Sequence, residues 1–166
     1  MRLKTRTILL VTGMTNLFWG CPIGLDHPLG EPDKEAILPD LIGVWENANA
    51  EAVVKVVSIL QKDAFSYDVL VRERGLDYVL ETDTLTGWVT DLNGMTFFYL
   101  RPSNEQQYYH YAILERSADQ LVVCDMALLE GGTDAVTDRE SLRKEIASSI
   151  GKPEFGSEKE TWVRID

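Results

Sequence analysis

The sequence predicts a mainly β domain of antiparallel strands, with one helix and a short last strand at its C-terminal end. Three observations predict it: short β-prone runs with period-two alternation, turn chemistry between those runs, and one change to four-residue apolar spacing after residue 137. The chain has 166 residues, enough for one ordinary hydrophobic core.

The first strand is expected at Leu41 to Glu46 and the second at Ala52 to Gln61, where Val53, Val57 and Ile59 share a face with Lys55. The third, Phe65 to Arg74, sets Tyr67, Val69 and Val71 against Asp68, Leu70 and Arg72. Further strands are expected at Leu76 to Asp83, Gly87 to Asp91, Met95 to Arg101, Gln107 to Arg116 and Gln120 to Met126. Gly75, Asn93-Gly94, Pro102-Ser103-Asn104 and Ala118-Asp119 punctuate them, and Asn-Gly is a strong signal for a two-residue hairpin because both positions tolerate positive φ. Thr137-Asp138-Arg139-Glu140 reads as a capping box, with Thr137 as the cap. Leu142, Ile146 and Ile150 then fall on one face of a helix over about 138–150, stopped by Gly151-Lys152-Pro153. Thr161 to Ile165 reads as the final strand.

With 16 Lys and Arg against 27 Asp and Glu, the formal net charge is −11. No basic stripe is available to displace phosphate counterions, so nucleic acid is excluded as a partner, and an anionic bilayer would repel the domain unless an apolar or covalent device held it there. The N-terminus supplies a candidate. Arg2, Lys4 and Arg6 precede an uncharged run from Thr7 to Gly20, too short to span a bilayer but with the anatomy of a signal peptide over residues 1–20. Leu17-Phe18-Trp19-Gly20-Cys21 resembles the lipobox of bacterial lipoproteins, which implies acylation of Cys21, with palmitate among the chains expected, and a membrane partner reached through the lipid. Pro22, rather than Asp, after the cysteine resembles the outer-membrane sorting pattern, implying the periplasmic leaflet in a Gram-negative host. Residues 21–39, with Pro22, Pro28, Pro32 and Pro39 and no apolar period, read as a lipidated flexible tether, leaving 40–166 as the β-barrel-like domain. Cys124 is then expected to be a buried free thiol, with a Cys21–Cys124 bridge as the alternative.

Eight strands, a helix and a last strand, with Gly43-Val44-Trp45 in the first, resemble the lipocalin arrangement, an up-and-down barrel closed at one end by a G-x-W tryptophan with an arginine stacked on it. The resemblance implies that Gly43, Trp45 and Arg164 close the barrel. The order of Leu41 to Trp45, Met95 to Leu100, Tyr109-His110-Tyr111, Leu121 to Val123, Leu142-Arg143 and Trp162-Val163-Arg164 is also similar to a group of small uncharacterised bacterial lipoproteins, which implies an envelope location.

For chemistry the residues offer little. His27 lies in the tether and His110 alternates with tyrosines, so no histidine pair has metal spacing, and no metal or cofactor is called for. Asp91-Leu92-Asn93-Gly94 is a fragment of a calcium loop whose plainer reading is a hairpin turn, and Glu81, Asp83 and Asp91 are acids without a defined cleft. Trp88, Phe97, Tyr99, Tyr109 and Tyr111 are the candidate ligand-lining residues of adjacent strands. Two functions stay open: a non-catalytic binding module for an apolar small molecule or an envelope protein, or a structural lipoprotein whose lumen those aromatics fill. A hydrolase is the distant third.

Overall fold

The computed structural model describes residues 23–49, 54–74, 79–81, 84–127 and 130–166. The leader over 1–20 and Cys21 lie outside the described residues. The strands are β1 (Gly43–Asn47), β2 (Val54–Gln61), β3 (Tyr67–Arg74), β4 (Val79–Glu81), β5 (Leu85–Leu92), β6 (Met95–Pro102), β7 (Tyr109–Arg116), β8 (Gln120–Asp125) and β9 (Lys159–Arg164), with helix α1 (Arg139–Ser149) before the last. They pair antiparallel in the order β2-β1-β9-β8-β7-β6-β5-β3, and β3 pairs back onto β2, closing an eight-stranded barrel. The expected fold class is therefore the observed one. Two strands take roles the sequence did not announce. The short β4 pairs on the far end of β3 outside the ring, and the last strand β9 is a full stave between β1 and β8.

Local chemistry accounts for the joints. Asn93 and Gly94 both take positive φ (55° and 79°), giving a two-residue hairpin in which Asp91 Oδ1 accepts from the Gly94 amide at 3.1 Å, so the calcium-loop fragment is a turn. The helix cap sits one residue later than expected. Asp138, not Thr137, accepts from the Ser141 amide at 2.7 Å, while Ser141 Oγ accepts from the Asp138 amide at 3.0 Å. Asp and Ser satisfy the reciprocal pattern as well as Thr and Glu do, and Asp138 brings a charge to the helix N-terminus.

The barrel has two apolar layers. Inside the ring, Trp45, Ile59, Tyr67, Val69, Val89, Phe98, Leu121 and Trp162 form one core. Outside it, Leu92 of β5, Phe97 of β6, Ala112 of β7 and Cys124 of β8 are covered by Leu142 and Ile146 of α1 and by Leu25 and Leu29 of the N-terminal stretch. The stretch expected to be a flexible tether is thus seated on the barrel at Leu25 and Leu29. Leu25 exchanges two backbone hydrogen bonds with Tyr108 (2.9 and 2.7 Å), the Leu29 carbonyl accepts from Arg143 Nη1 at 2.9 Å, and Leu29 is fully buried. Two leucines spaced by four and held only by tertiary contacts make no periodic pattern, which is why the segment reads as a spacer.

Candidate ligand-binding site

One end of the barrel is sealed. Trp45, 1% exposed, donates its indole N–H to the Leu41 carbonyl at 2.9 Å, and the 3-10 turn Pro39–Leu41 brings Leu41 across that end. Arg164 lies over the Trp45 ring with its guanidinium carbon 4.5 Å from the centroid. Its fork donates to three carbonyls, Nε to Ala118 (2.7 Å), Nη1 to Ile42 (2.7 Å) and Nη2 to Asp40 (2.8 Å), and so ties three chain segments together. Gly43 makes room for it, since a Cβ there would lie 2.5 Å from Arg164 Nη1. The three residues proposed to close the barrel are together at that end.

Above this floor the lumen holds a cavity of about 570 Å³ that opens at the other end of the barrel. Its walls are apolar: Val57 and Ile59 of β2, Val69 and Val71 of β3, Phe98 and Leu100 of β6, Leu121 and Val123 of β8, and Trp162 of β9. The aromatics do not fill it. Toward the mouth stand Tyr111 and the charged residues Lys55, Asp125, Glu158, Lys159 and Glu160. Lys55 Nζ is 3.7 Å from Glu73 Oε1, across the β2–β3 pair. Burial, reinforced by Glu160 and Glu158 and partly offset by Lys55, pushes the Asp125 carboxyl up to about 6. Burial also raises the Tyr111 phenol, with Asp125 and Glu160 adding to the effect.

Of the candidate ligand-lining residues, only Tyr111 lines the cavity. Tyr109 shares its face by strand parity and donates its hydroxyl to Glu105 at 2.9 Å. Trp88, Phe97 and Tyr99 lie on the outer face instead. The register pairs Phe98 with Tyr111 and Leu100 with Tyr109, whereas Phe97 faces Ala112 and Tyr99 faces His110. All four residues from Phe97 to Leu100 are buried because β6 is covered on both sides, so alternation gives no clue to its inner face. Phe97 packs beneath α1, and Trp88 and Tyr99 stack at 5.6 Å with Tyr108 beside them. His110, 3% exposed, stacks on Tyr99 at 6.0 Å, and burial pushes its imidazole down to about 4. Both His110 nitrogens, the Trp88 N–H and the Tyr99 hydroxyl have no hydrogen-bond partner in this cluster.

Sequence reasoning missed the other walls and the acids of the mouth, but found the face shared by Lys55, Val57 and Ile59 and the alternating face of Val69 and Val71. The hairpin at Asn93-Gly94 carried a usable signal for Phe98: a two-residue turn sets Leu92 opposite Met95, and hence Val89 opposite Phe98 and Gly87 opposite Leu100. Cys124 is buried, and burial raises its thiol to about 11, which leaves it an unreactive member of the outer layer. Among the described residues, no group of three or more His, Cys, Asp or Glu side chains could hold a metal ion, and no helix is long and apolar enough to cross a membrane. Comparison of the chain with family models, with curated proteins and with solved structures finds no match.

Proposed function

We propose that this chain is a lipid-anchored cell-envelope protein whose barrel is a non-catalytic binding module for an apolar small molecule. The observation that carries the reading is the cavity of about 570 Å³ with apolar walls, sealed at the Trp45 end and open at the other, a size within the roughly 300–1,000 Å³ of small-molecule sites. A non-catalytic role is supported by the sequestration of His110 under the outer layer, where neither ring nitrogen meets a carboxylate or hydroxyl to activate. The anchor rests on the leader and Gly20-Cys21, and it would hold an acidic domain at a surface that its charge alone would not seek.

Trp45 and Trp162 line the cavity, so intrinsic fluorescence reads its occupancy. Titration with a brominated long-chain alcohol should give saturable quenching, and Val69→Phe, which places a ring in the lumen, should weaken it about tenfold or more. Quenching that rises linearly without saturation, in a wild type with native melting, would refute the binding reading. For the anchor, Cys21→Ser should abolish incorporation of labelled palmitate and move the protein from the detergent phase to the aqueous phase. Retention of label would disprove acylation at Cys21.

A further inference from the structure

The cavity of about 570 Å³ has an electrically lopsided mouth. Lys55, Lys159, Asp125, Glu158 and Glu160 line it, and Glu73 sits beside Lys55. Four carboxylates therefore gather around two ammonium groups. Lys159 offsets part of this charge, and because it pairs in register with Cys124 on the outer face it also acts on that thiol, so an excess of acid remains at the opening. Below the acids the walls are hydrocarbon and aromatic down to Trp45. A charged ring over a low-dielectric well focuses its field into the well, and such focusing raises local counter-ion concentration by roughly 10–10³.

We propose that the lumen takes a cationic amphiphile, a molecule with a hydrocarbon body in the well and an ammonium group held between Asp125 and Glu160 at the mouth. Tyr111 stands opposite Asp125 in the β7–β8 register and lines the same wall, placing an aromatic surface beside the ammonium. An anionic amphiphile such as a fatty acid meets the opposite case: its carboxylate would have to sit among Asp125, Glu158 and Glu160, with Lys55 already paired with Glu73 and Lys159 outnumbered by those acids. Burial raises the Asp125 carboxyl, with Glu160 and Glu158 adding to it, and an arriving ammonium offsets both.

The inference rests on the lumen being a ligand cavity, and a matched series separates the two. The full chain carrying Cys21→Ser, so that no acyl group competes, is titrated calorimetrically at pH 7.5 and low salt with decylamine, 1-decanol and decanoate. Decylammonium should bind about tenfold or more tighter than decanol, and decanoate weakest. In Asp125→Asn/Glu160→Gln that preference should fall toward unity with decanol affinity unchanged. Raising salt on the wild type should weaken decylammonium and not decanol, a measurement that stands whether or not the double variant folds. Decanol binding with no preference for the amine, or with decanoate tighter, overturns the head-group assignment alone. Failure of all three to bind overturns the cavity reading and this assignment with it.

Discussion

Lowering the pH should unseat the outer layer through His110, and the size of the effect follows from its surroundings. The imidazole is 3% exposed, stacked on Tyr99 at 6.0 Å, and neither nitrogen has a partner. The folded state therefore holds it neutral down to about 4, against 6.5 in an unfolded chain. Above pH 6.5 both states are neutral and His110 contributes no pH dependence. Below 6.5 the unfolded state takes up a proton that the folded state refuses, so stability is lost as pH falls, reaching about 3 kcal/mol near pH 4. Asp125 works in the opposite direction: its folded pKa of about 6 lies above the ordinary value of 3.8, so the folded state binds more protons between those limits and gains stability as pH falls through them. The two partly cancel in the wild type, so the measurement must isolate His110. His110→Phe keeps a stacking ring and removes the titration. Urea unfolding of wild type and variant from pH 7.5 to 4 should show the variant pulling ahead progressively below pH 6.5, by about 3 kcal/mol at pH 4. At neutral pH the variant should already match or exceed the wild type, because two unsatisfied polar atoms are gone. A stability difference that stays constant over this range would refute the assignment of a buried neutral imidazole.

Two further perturbations test the architecture. Trp45→Ala should cost about 3–5 kcal/mol through the space it leaves, and Arg164→Lys about 2 kcal/mol through loss of the three-carbonyl fork and the planar stack. A double-mutant cycle on the pair should give a coupling of roughly 0.5–2 kcal/mol, and additive effects would show that the stack carries no energy. Leu29→Ala should destabilise by about 2–5 kcal/mol in urea unfolding, since Leu29 is fully buried and its carbonyl is gripped by Arg143. A midpoint equal to that of wild type would restore the tether reading for this stretch.

The contrast between Trp45 and Leu29 shows which parts of this fold are legible in a sequence. Trp45 and Arg164, 119 positions apart, could be paired only through the resemblance of Gly43-Val44-Trp45 and the late arginine to the lipocalin arrangement, and the contact they make is a guanidinium stacked on an indole. The β2–β3 hairpin was readable for another reason. Val57 and Ile59, like Val69 and Val71, alternate with residues on the face that carries no helix, so period two survives. On the other side of the barrel the outer layer erases it. From Phe97 to Leu100 every side chain is buried, and setting Phe97 and Tyr99 on the same face as Tyr109 and Tyr111 is a one-residue slip, since the register turns Phe97 and Tyr99 outward. The mouth was less legible still. Asp125 and Glu160 belong to β8 and β9 and approach Lys55 of β2 only because β9 inserts between β1 and β8, a pairing that no local pattern encodes. Read one strand at a time, these acids are ordinary polar ends of apolar runs. Only closure of the ring turns them into a single charged opening over an apolar well, which is why a binding reading that began with the aromatics has to be carried by the cavity and its mouth.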